Sequence, residues 1–219
     1  MEHGRITRRD SLVRLGGFAV AALGLHGLEV APADAASVAC VLTPEQTEGP
    51  YYIAGEKLRR NITEGRPGTP LVLRTFVVDA VTCRPIRNAA VDIWHADASG
   101  VYSGFGSGSS NRTFMRGVQR TNAKGLAQFR TVYPGWYPGR TVHIHVKVHV
   151  SGNVVHTGQL YFPDLVTDAV YKRAPYASRP NREPRNAGDM IFGRRSLLAL
   201  RRSSGGVYVA TITMGVHRT

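Results

Sequence analysis

Cysteine is scarce in this sequence, which has only Cys40 and Cys83 among its 219 residues. Two thiols this far apart lack the close spacing of thiolate metal sites, so a cysteine-bound metal is not expected. A disulfide between them is expected if the chain reaches an oxidising compartment. The alternative is that Cys40 carries a lipid anchor, since the run Ser37-Val38-Ala39 precedes it.

Acidic residues are also few, with 15 Asp and Glu against 28 Lys and Arg and a net charge of +13. Nearly all of the basic residues are arginines, and beyond position 36 the excess persists, at 24 basic against 11 acidic residues. A basic surface can bind nucleic acid, anionic polymer or cell-wall phosphate. No nucleic-acid motif accompanies the scattered arginines, so we expect a solvated basic surface and no nucleic-acid partner.

Long apolar runs are missing as well. The apolar stretch from Leu15 to Leu28 is too short and glycine-rich for a permanent membrane span. The pair Arg8-Arg9 precedes it, and Ala33-Asp34-Ala35 follows it as a small-residue cleavage site. Residues 1–36 therefore resemble an export signal of the twin-arginine type, with an ordinary secretory signal as the alternative. We expect a secreted or cell-envelope protein with one domain over residues 37–219.

Internal repeats and low-complexity segments are absent, and short period-two segments alternate with Gly, Pro and Ser turns. This pattern predicts strands. The predicted strands are Leu71–Val81, Ala89–Trp94, Gly125–Val132, Arg140–Val150, Val154–Phe162 and Val207–Met214, with a helical turn near Leu165–Tyr171. We therefore predict a mainly β fold, an antiparallel-rich β-sandwich whose long loops carry the functional site.

The strand around His143 and His145 carries the sharpest functional signal. In a period-two segment these imidazoles point to the same face, where together they can hold one metal ion. Tyr102 and Tyr137 lie in loops that follow other predicted strands. A phenol has a pKa of about 10, so it binds a metal well only when a highly charged ion displaces its proton. Two tyrosines with two histidines therefore favour ferric iron.

Three alternatives stay open at this point. Asp97 could join the two histidines as the carboxylate of a ferrous oxygenase site. A zinc hydrolase could use the same residues, although zinc more commonly takes three His, or His with a carboxylate. Tyr133 lies four residues before Tyr137 and rivals it as a ligand, but the Pro-Gly-x-Tyr-Pro setting favours Tyr137.

Four segments of the sequence resemble the intradiol ring-cleavage dioxygenases, the family of the catechol and protocatechuate dioxygenases. They are Thr43 to Tyr52, Cys83 to Tyr102, Phe129 to Pro138 and Gly139 to His145. They stand in family order and cover most of residues 43–162. The export leader is unlike the well-known members, which are cytoplasmic, so the sequence resembles an exported short form of the family.

The resemblance implies a non-haem ferric ion, Fe(III), held by Tyr102, Tyr137, His143 and His145. In the family's pattern Tyr102 and His143 would be equatorial ligands, Tyr137 and His145 axial ones, and hydroxide the fifth. A catechol would bind through both oxygens and displace the hydroxide and Tyr137. Arg140 matches the family's active-site arginine and would stabilise negative charge on the substrate ring as O2 attacks.

The resemblance also implies the reaction and the remaining site residues. The ring would open between the two hydroxylated carbons and give a muconate-type diacid that contains both atoms of O2. Gln159 matches a pocket glutamine that could hydrogen-bond the substrate. The partners would be a catechol and O2, a homodimer remains possible, and a noncatalytic β-sandwich binding module is the alternative function. Candidate substrate contacts, each of which could instead serve packing alone, are Gly49, Pro50, Tyr51, Tyr52 and Trp136.

Overall fold

Two four-stranded sheets pack face to face in the computed structural model, which describes residues 40, 42–106, 108–179 and 182–218. The described part contains eight strands and one α-helix. In chain order they are β1 Pro70–Asp79, β2 Ala90–Trp94, β3 Arg116–Arg120, β4 Leu126–Val132, β5 His143–Val150, β6 Asn153–Tyr161, α1 Asp164–Tyr171, β7 Ala199–Arg202 and β8 Tyr208–Val216. Three short 3-10 helices, Tyr176–Ser178, Asn186–Gly188 and Arg194–Ser196, lie between α1 and β7.

The strand orders are β4-β1-β8-β7 in the first sheet and β3-β2-β5-β6 in the second. β1 and β8 pair in parallel, and the other neighbouring strands pair antiparallel. The predicted antiparallel-rich β-sandwich is therefore confirmed. β3 and β7 are absent from the predicted strands, because their sequences, RGVQR and ALRR, are charged and carry no apolar alternation.

The period-two pattern of β5 decides where the histidines point. Ile144, Val146 and Val148 are fully buried in the core between the sheets. Burial of each such aliphatic side chain stabilises the folded protein by roughly 1.5–3 kcal/mol, because its apolar surface leaves water. Because successive strand residues face opposite sides, His143 and His145 lie on the outer face of the second sheet.

An N-terminal arm, residues 42–62, crosses this outer face and buries it. The backbone N–H of Thr43 donates to Gly215 O at 2.9 Å, and that of Gln46 donates to Thr157 O at 2.9 Å. A disulfide joins Cys40 to Cys83, with the two Cα atoms 5.4 Å apart. The expected disulfide is thus present, and it leaves no Cys40 thiol for a lipid anchor.

The proposed leader, residues 1–36, lies outside the described residues. The described residues belong to one compact unit. Among them, no helix is both long enough and apolar enough to span a membrane.

Candidate metal centre

The two histidines of β5 bring their Nε2 atoms together. His143 Nε2 lies 3.0 Å from His145 Nε2, and both side chains are buried. His143 Nδ1 lies 2.6 Å from the Thr141 carbonyl oxygen, which can only accept a hydrogen bond. A neutral His143 therefore carries its proton on Nδ1, and the lone pair of Nε2 faces His145.

Two loops bring the tyrosines to the same place. Tyr137 Oη lies 3.2 Å from His143 Nε2, and the Tyr137 ring stands edge-on to the Tyr102 ring at a centroid distance of 5.6 Å. The Tyr102 ring centroid is 6.1 Å from that of His145. The structure therefore brings together all four side chains of the predicted ligand set, which come from three separate segments.

The loop of Tyr102 is built on Asp97. The Asp97 carboxylate accepts hydrogen bonds from the N–H groups of Ser99 at 2.8 Å and Val101 at 3.0 Å, which shapes the turn after β2. The N–H of Gly135, in the loop of Tyr137, donates to the backbone oxygen of Asp97 at 2.9 Å. The loops that carry the two tyrosines are thus joined backbone to backbone.

Burial keeps the four side chains uncharged. Burial, with a smaller contribution from the nearby Arg140 charge, lowers the pKa of His143 to about 3. Burial likewise lowers the pKa of His145 well below its usual range. Burial raises the pKa of Tyr102 well above 10, and neighbouring Tyr137 adds to the rise.

Two of these side chains have unsatisfied polar atoms. Among the described residues, Tyr102 Oη and His145 Nδ1 are buried without a hydrogen-bond partner. Native proteins rarely leave buried polar atoms unpaired, because the lost hydration is not replaced. A phenol oxygen in this position beside two imidazoles fits a hard, highly charged cation, which can displace the phenol proton.

The rival ligands are engaged elsewhere. Besides shaping its turn, the Asp97 carboxylate pairs with Arg66. The Tyr133 hydroxyl lies 2.8 Å from Thr167 Oγ1 within the core between the sheets. In the part of the chain that the structure describes, no group of three or more His, Cys, Asp or Glu side chains is placed to hold an ion. The geometry therefore favours the two-tyrosine, two-histidine set over a carboxylate site.

Arg140 and Gln159 lie beside this cluster and contact each other. Arg140 Nη2 donates to Gln159 Oε1, and Arg140 Nε donates to Asp189 Oδ2 at 2.9 Å. Gln159 Nε2 donates to the Thr47 carbonyl at 3.0 Å, which ties it to the arm. Gln159 is also the partner of His145 across β5 and β6.

Three of the five predicted substrate contacts lie against aromatic side chains of this region. Tyr51 stacks on Tyr102, with centroids 4.3 Å apart and planes at 14°. A Cβ on Gly49 would lie 3.2 Å from His145 Cε1, so the arm backbone passes directly over that ring. Tyr52 packs on Trp94, at 4.8 Å, and its ring receives the Lys147 ammonium group at 3.7 Å.

The other two candidates lie at the margin of the cluster. Pro50 is exposed in the turn of the arm. Trp136 Nε1 donates to the Arg179 carbonyl at 3.1 Å, and the Arg179 guanidinium covers its ring at 4.7 Å. A substrate role for Gly49, Pro50, Tyr51, Tyr52 and Trp136 stays a prediction.

Sequence reasoning missed two residues of this region. Trp94 stacks on His145, with centroids 4.9 Å apart and planes at 7°, and it is the cross-strand partner of that histidine. Trp94 stands at the end of a predicted strand, and this position could have identified it as a neighbour of the site. Asp189 binds Arg140 from a polar, proline-rich segment whose sequence shows no period that could have identified it.

The chain matches the family model described as Dioxygenase over residues 47–180. Among curated proteins, the catechol 1,2-dioxygenase of Acinetobacter baylyi is 29% identical over 189 residues, which cover 68% of this chain and 60% of that protein. The chain therefore spans less than two thirds of the length of this relative.

Solved structures with the same fold match more of the chain. An intradiol ring-cleavage dioxygenase from Tetranychus urticae is 36% identical, with a TM-score of 0.78, over 81% of this chain and 95% of that one. The dioxygenase domain of a dioxygenase and carbohydrate-binding protein fusion from a cellulolytic Streptomyces species is 34% identical, with a TM-score of 0.66. That match covers 82% of this chain and 100% of the domain.

Proposed function

Because this chain belongs to the intradiol ring-cleavage dioxygenase family, we propose that it is a non-haem Fe(III) dioxygenase. It would open catecholic rings between the two hydroxylated carbons and produce muconate-type diacids. The observation that carries the proposal is the meeting of two phenols and two imidazoles in one place, with Tyr137 Oη 3.2 Å from His143 Nε2. Tyr102, His143 and His145 are buried there, and Tyr137 is half-buried.

Tyr102, Tyr137, His143 and His145 would hold the ion. Uncharged imidazoles keep their Nε2 lone pairs available, and two phenolates would offset two of the three positive charges. The chemistry that a bound ferric ion supplies is the activation of a chelated catechol toward O2. The remaining tasks, which are proton handling, charge stabilisation and exclusion of water, belong to the protein.

Tyr137 is placed to handle a proton. Burial raises the pKa of its phenol, although the Arg140 charge partly offsets the rise. Oη therefore holds a proton at neutral pH when no cation is bound to it, and a Tyr137 phenolate would readily accept a proton. That proton can come from a catechol hydroxyl, because a catechol must lose its protons to bind through both oxygens.

Arg140 supplies a fixed positive charge beside the cluster. Its guanidinium is held on two sides, by Asp189 and Gln159, so it does not reorganise as charge develops. Such preorganised charge stabilises negative charge on a substrate ring more than mobile water does. The arm residues over His145 limit the access of water to the same space.

We also propose that the protein is exported and acts outside the cytoplasm, with residues 1–36 as its twin-arginine-type leader. The disulfide between Cys40 and Cys83 supports this proposal, because such bonds persist in oxidising compartments. A catechol is the substrate class we favour, since a relative that covers 68% of this chain is a catechol 1,2-dioxygenase.

The proposed function is tested with the purified, iron-loaded protein. O2 consumption and product mass are measured for catechol, protocatechuate, a chlorocatechol and hydroxyquinol. We expect uptake of one O2 per substrate and a diacid heavier than the substrate by the mass of O2. Tyr137→Phe, which removes only Oη, should lower kcat by about 10²-fold or more.

Tyr208→Phe is the matched control, because Tyr208 lies on β8 in the first sheet, away from the cluster. It should keep the wild-type rate. The proposal fails if the iron-loaded protein consumes no O2 with any of the four diols. Cleavage beside the diol would give an isomer of the same mass, so the product is also identified by NMR. The proposal fails if that product is an aldehyde acid from cleavage beside the diol rather than a diacid from cleavage between its hydroxylated carbons.

A further inference from the structure

One carboxylate, that of Asp189, binds two neighbouring residues of the site. Asp189 Oδ2 accepts from Arg140 Nε at 2.9 Å and from the Thr141 N–H at 2.8 Å, while Oδ1 accepts from the Ile191 N–H at 2.8 Å. The Asp189 side chain is 1% exposed. Burial alone would raise its pKa, but the hydrogen bonds from Thr141 and Ile191 and the Arg140 charge lower it, so Asp189 is ionised.

Through Arg140, Asp189 fixes the direction of a charge. A guanidinium that is held only at Nη2 by Gln159 could still rotate about that contact. The second contact, from Nε to Asp189, removes this freedom and fixes the plane of the guanidinium group. The ion pair is buried on the Asp189 side and nearly so on the Arg140 side, at 17% exposure, which makes loss of one partner expensive.

Through Thr141, the same carboxylate reaches a predicted metal ligand. The Thr141 N–H is bound by Asp189, and its hydroxyl donates to Asn186 Oδ1 at 2.7 Å. Its carbonyl accepts from His143 Nδ1 at 2.6 Å, and this hydrogen bond sets the tautomer that directs Nε2 to the cluster. Residues 186–191 therefore hold Arg140 and His143 in one arrangement.

We propose that Asp189 is a positioning residue, which fixes the orientation of the Arg140 guanidinium and the metal-binding tautomer of His143 together. The inference rests on the proposed function. It also assigns a role to a segment that lies beyond residues 47–180, the part of the chain matched by the family model. The segment between α1 and β7 would thus complete the site and not merely connect two elements.

Two substitutions separate the two effects of Asp189. Asp189→Asn keeps the size and can still accept from the Thr141 N–H, but removes the charge that faces Arg140. We expect its kcat to fall about 10–100-fold, with a smaller change in KM and with wild-type iron retention. Asp189→Ala also releases Thr141, so it should lose iron to EDTA about 10–100-fold faster than wild type.

Asp79→Asn is the matched control. Asp79 is also a buried carboxylate that accepts from a backbone N–H, that of Thr82 at 2.7 Å, but it lies at the end of β1 in the first sheet. This variant should keep wild-type kcat and iron retention. Thermal unfolding of each iron-free variant identifies any general loss of folding.

Wild-type kcat in Asp189→Asn together with wild-type iron release in Asp189→Ala would overturn the proposal. Equal losses of kcat and of iron in the control variant Asp79→Asn would also overturn it. An iron-loaded wild type that turns over no catechol contradicts the proposed function instead. In that case the rate of iron loss to EDTA alone tests the positioning role of Asp189. Equal rates in wild type and Asp189→Ala would reject that role.

Discussion

Tyr102 shows at the scale of one residue where stability and the proposed function conflict. Its side chain is 5% exposed, and its hydroxyl has no hydrogen-bond partner in the described part of the chain. A phenylalanine would fill the same space without an unpaired polar atom. A buried side chain that is less favourable for stability than a simple replacement is typical of functional positions.

We expect Tyr102→Phe to leave the free energy of unfolding of the iron-free protein unchanged, or to raise it by about 1 kcal/mol, because a buried unpaired hydroxyl disappears. The same variant should retain far less iron. Urea unfolding and iron content per chain measure the two effects. Tyr133→Phe is the control, since it breaks a 2.8 Å hydrogen bond to Thr167 and should lose about 1 kcal/mol with its iron intact.

His156 gives a pH prediction outside the cluster. Its side chain is 2% exposed, and burial lowers its pKa to about 4, from 6.5 for the free side chain. Below pH 6.5 the unfolded chain binds a proton that the folded protein takes up only near pH 4. The stability contributed by neutral His156 is therefore present above pH 6.5 and is lost as the pH falls toward 4.

His156→Leu should remove this pH dependence. Between pH 7 and 4.5 the unfolding free energy of the iron-free wild type should fall by about 2 kcal/mol more than that of the variant. The buried Asp92, whose pKa burial raises to about 7, acts with the opposite sign but is present in both proteins. Denaturant melts at several pH values give the difference, and parallel curves would contradict the assignment.

At the scale of elements, the loops after β2 and β4 depend on one glycine. A Cβ at Gly135 would lie 2.4 Å from the Ala98 carbonyl oxygen and 2.5 Å from that of Asp97. Real Cβ atoms do not approach backbone oxygens so closely. Only glycine therefore permits the two loops to approach this closely. This approach in turn sets the distance between Tyr102 and Tyr137.

Gly135→Ala should push these loops apart and weaken iron binding without unfolding the sandwich. Iron content and the visible absorption of iron-bound phenolate are the measurements, with far-UV circular dichroism as the check on folding. Gly205→Ala lies in the β7–β8 connection, where the nearest atom is 4.0 Å from an added Cβ. It should behave as wild type, and full iron loading of Gly135→Ala would refute the argument.

At the scale of the whole molecule, the N-terminal arm turns an outer sheet face into a buried site. Hydrogen bonds pin it to both sheets, at Gly215 and at Thr157. The disulfide joins Cys40, two residues before the arm, to Cys83 in the loop after β1. The protein thus uses a covalent bond at one end of the arm and hydrogen bonds along it.

Replacing both cysteines by serine should lower the free energy of unfolding by about 2–4 kcal/mol, because a closed loop of 43 residues restricts the unfolded chain. Iron binding should survive in the folded protein, since the contacts of Gln46 and Thr43 still hold the arm. Urea unfolding with and without reductant measures the first effect. Loss of iron from a still-folded double variant would show that the disulfide also maintains the site.

The sequence by itself determined the elements whose cause is local. Period-two alternation identified six of the eight described strands, and it placed His143 and His145 on one face, because side-chain direction in a strand depends only on position. Motif resemblance then indicated Tyr102 and Tyr137 as the remaining ligands. The structure brings these four together, and their binding of iron stays a prediction.

Only the tertiary structure decided the remainder. Three contacts join residues that are about 50 to 140 positions apart in the sequence. They are the parallel pairing of β1 with β8, the stacking of Tyr51 on Tyr102 and the ion pair of Asp189 with Arg140. No local period encodes such contacts. They form because the whole chain buries its apolar faces at once, and each polar group that is buried with them must then find a partner wherever the fold supplies one.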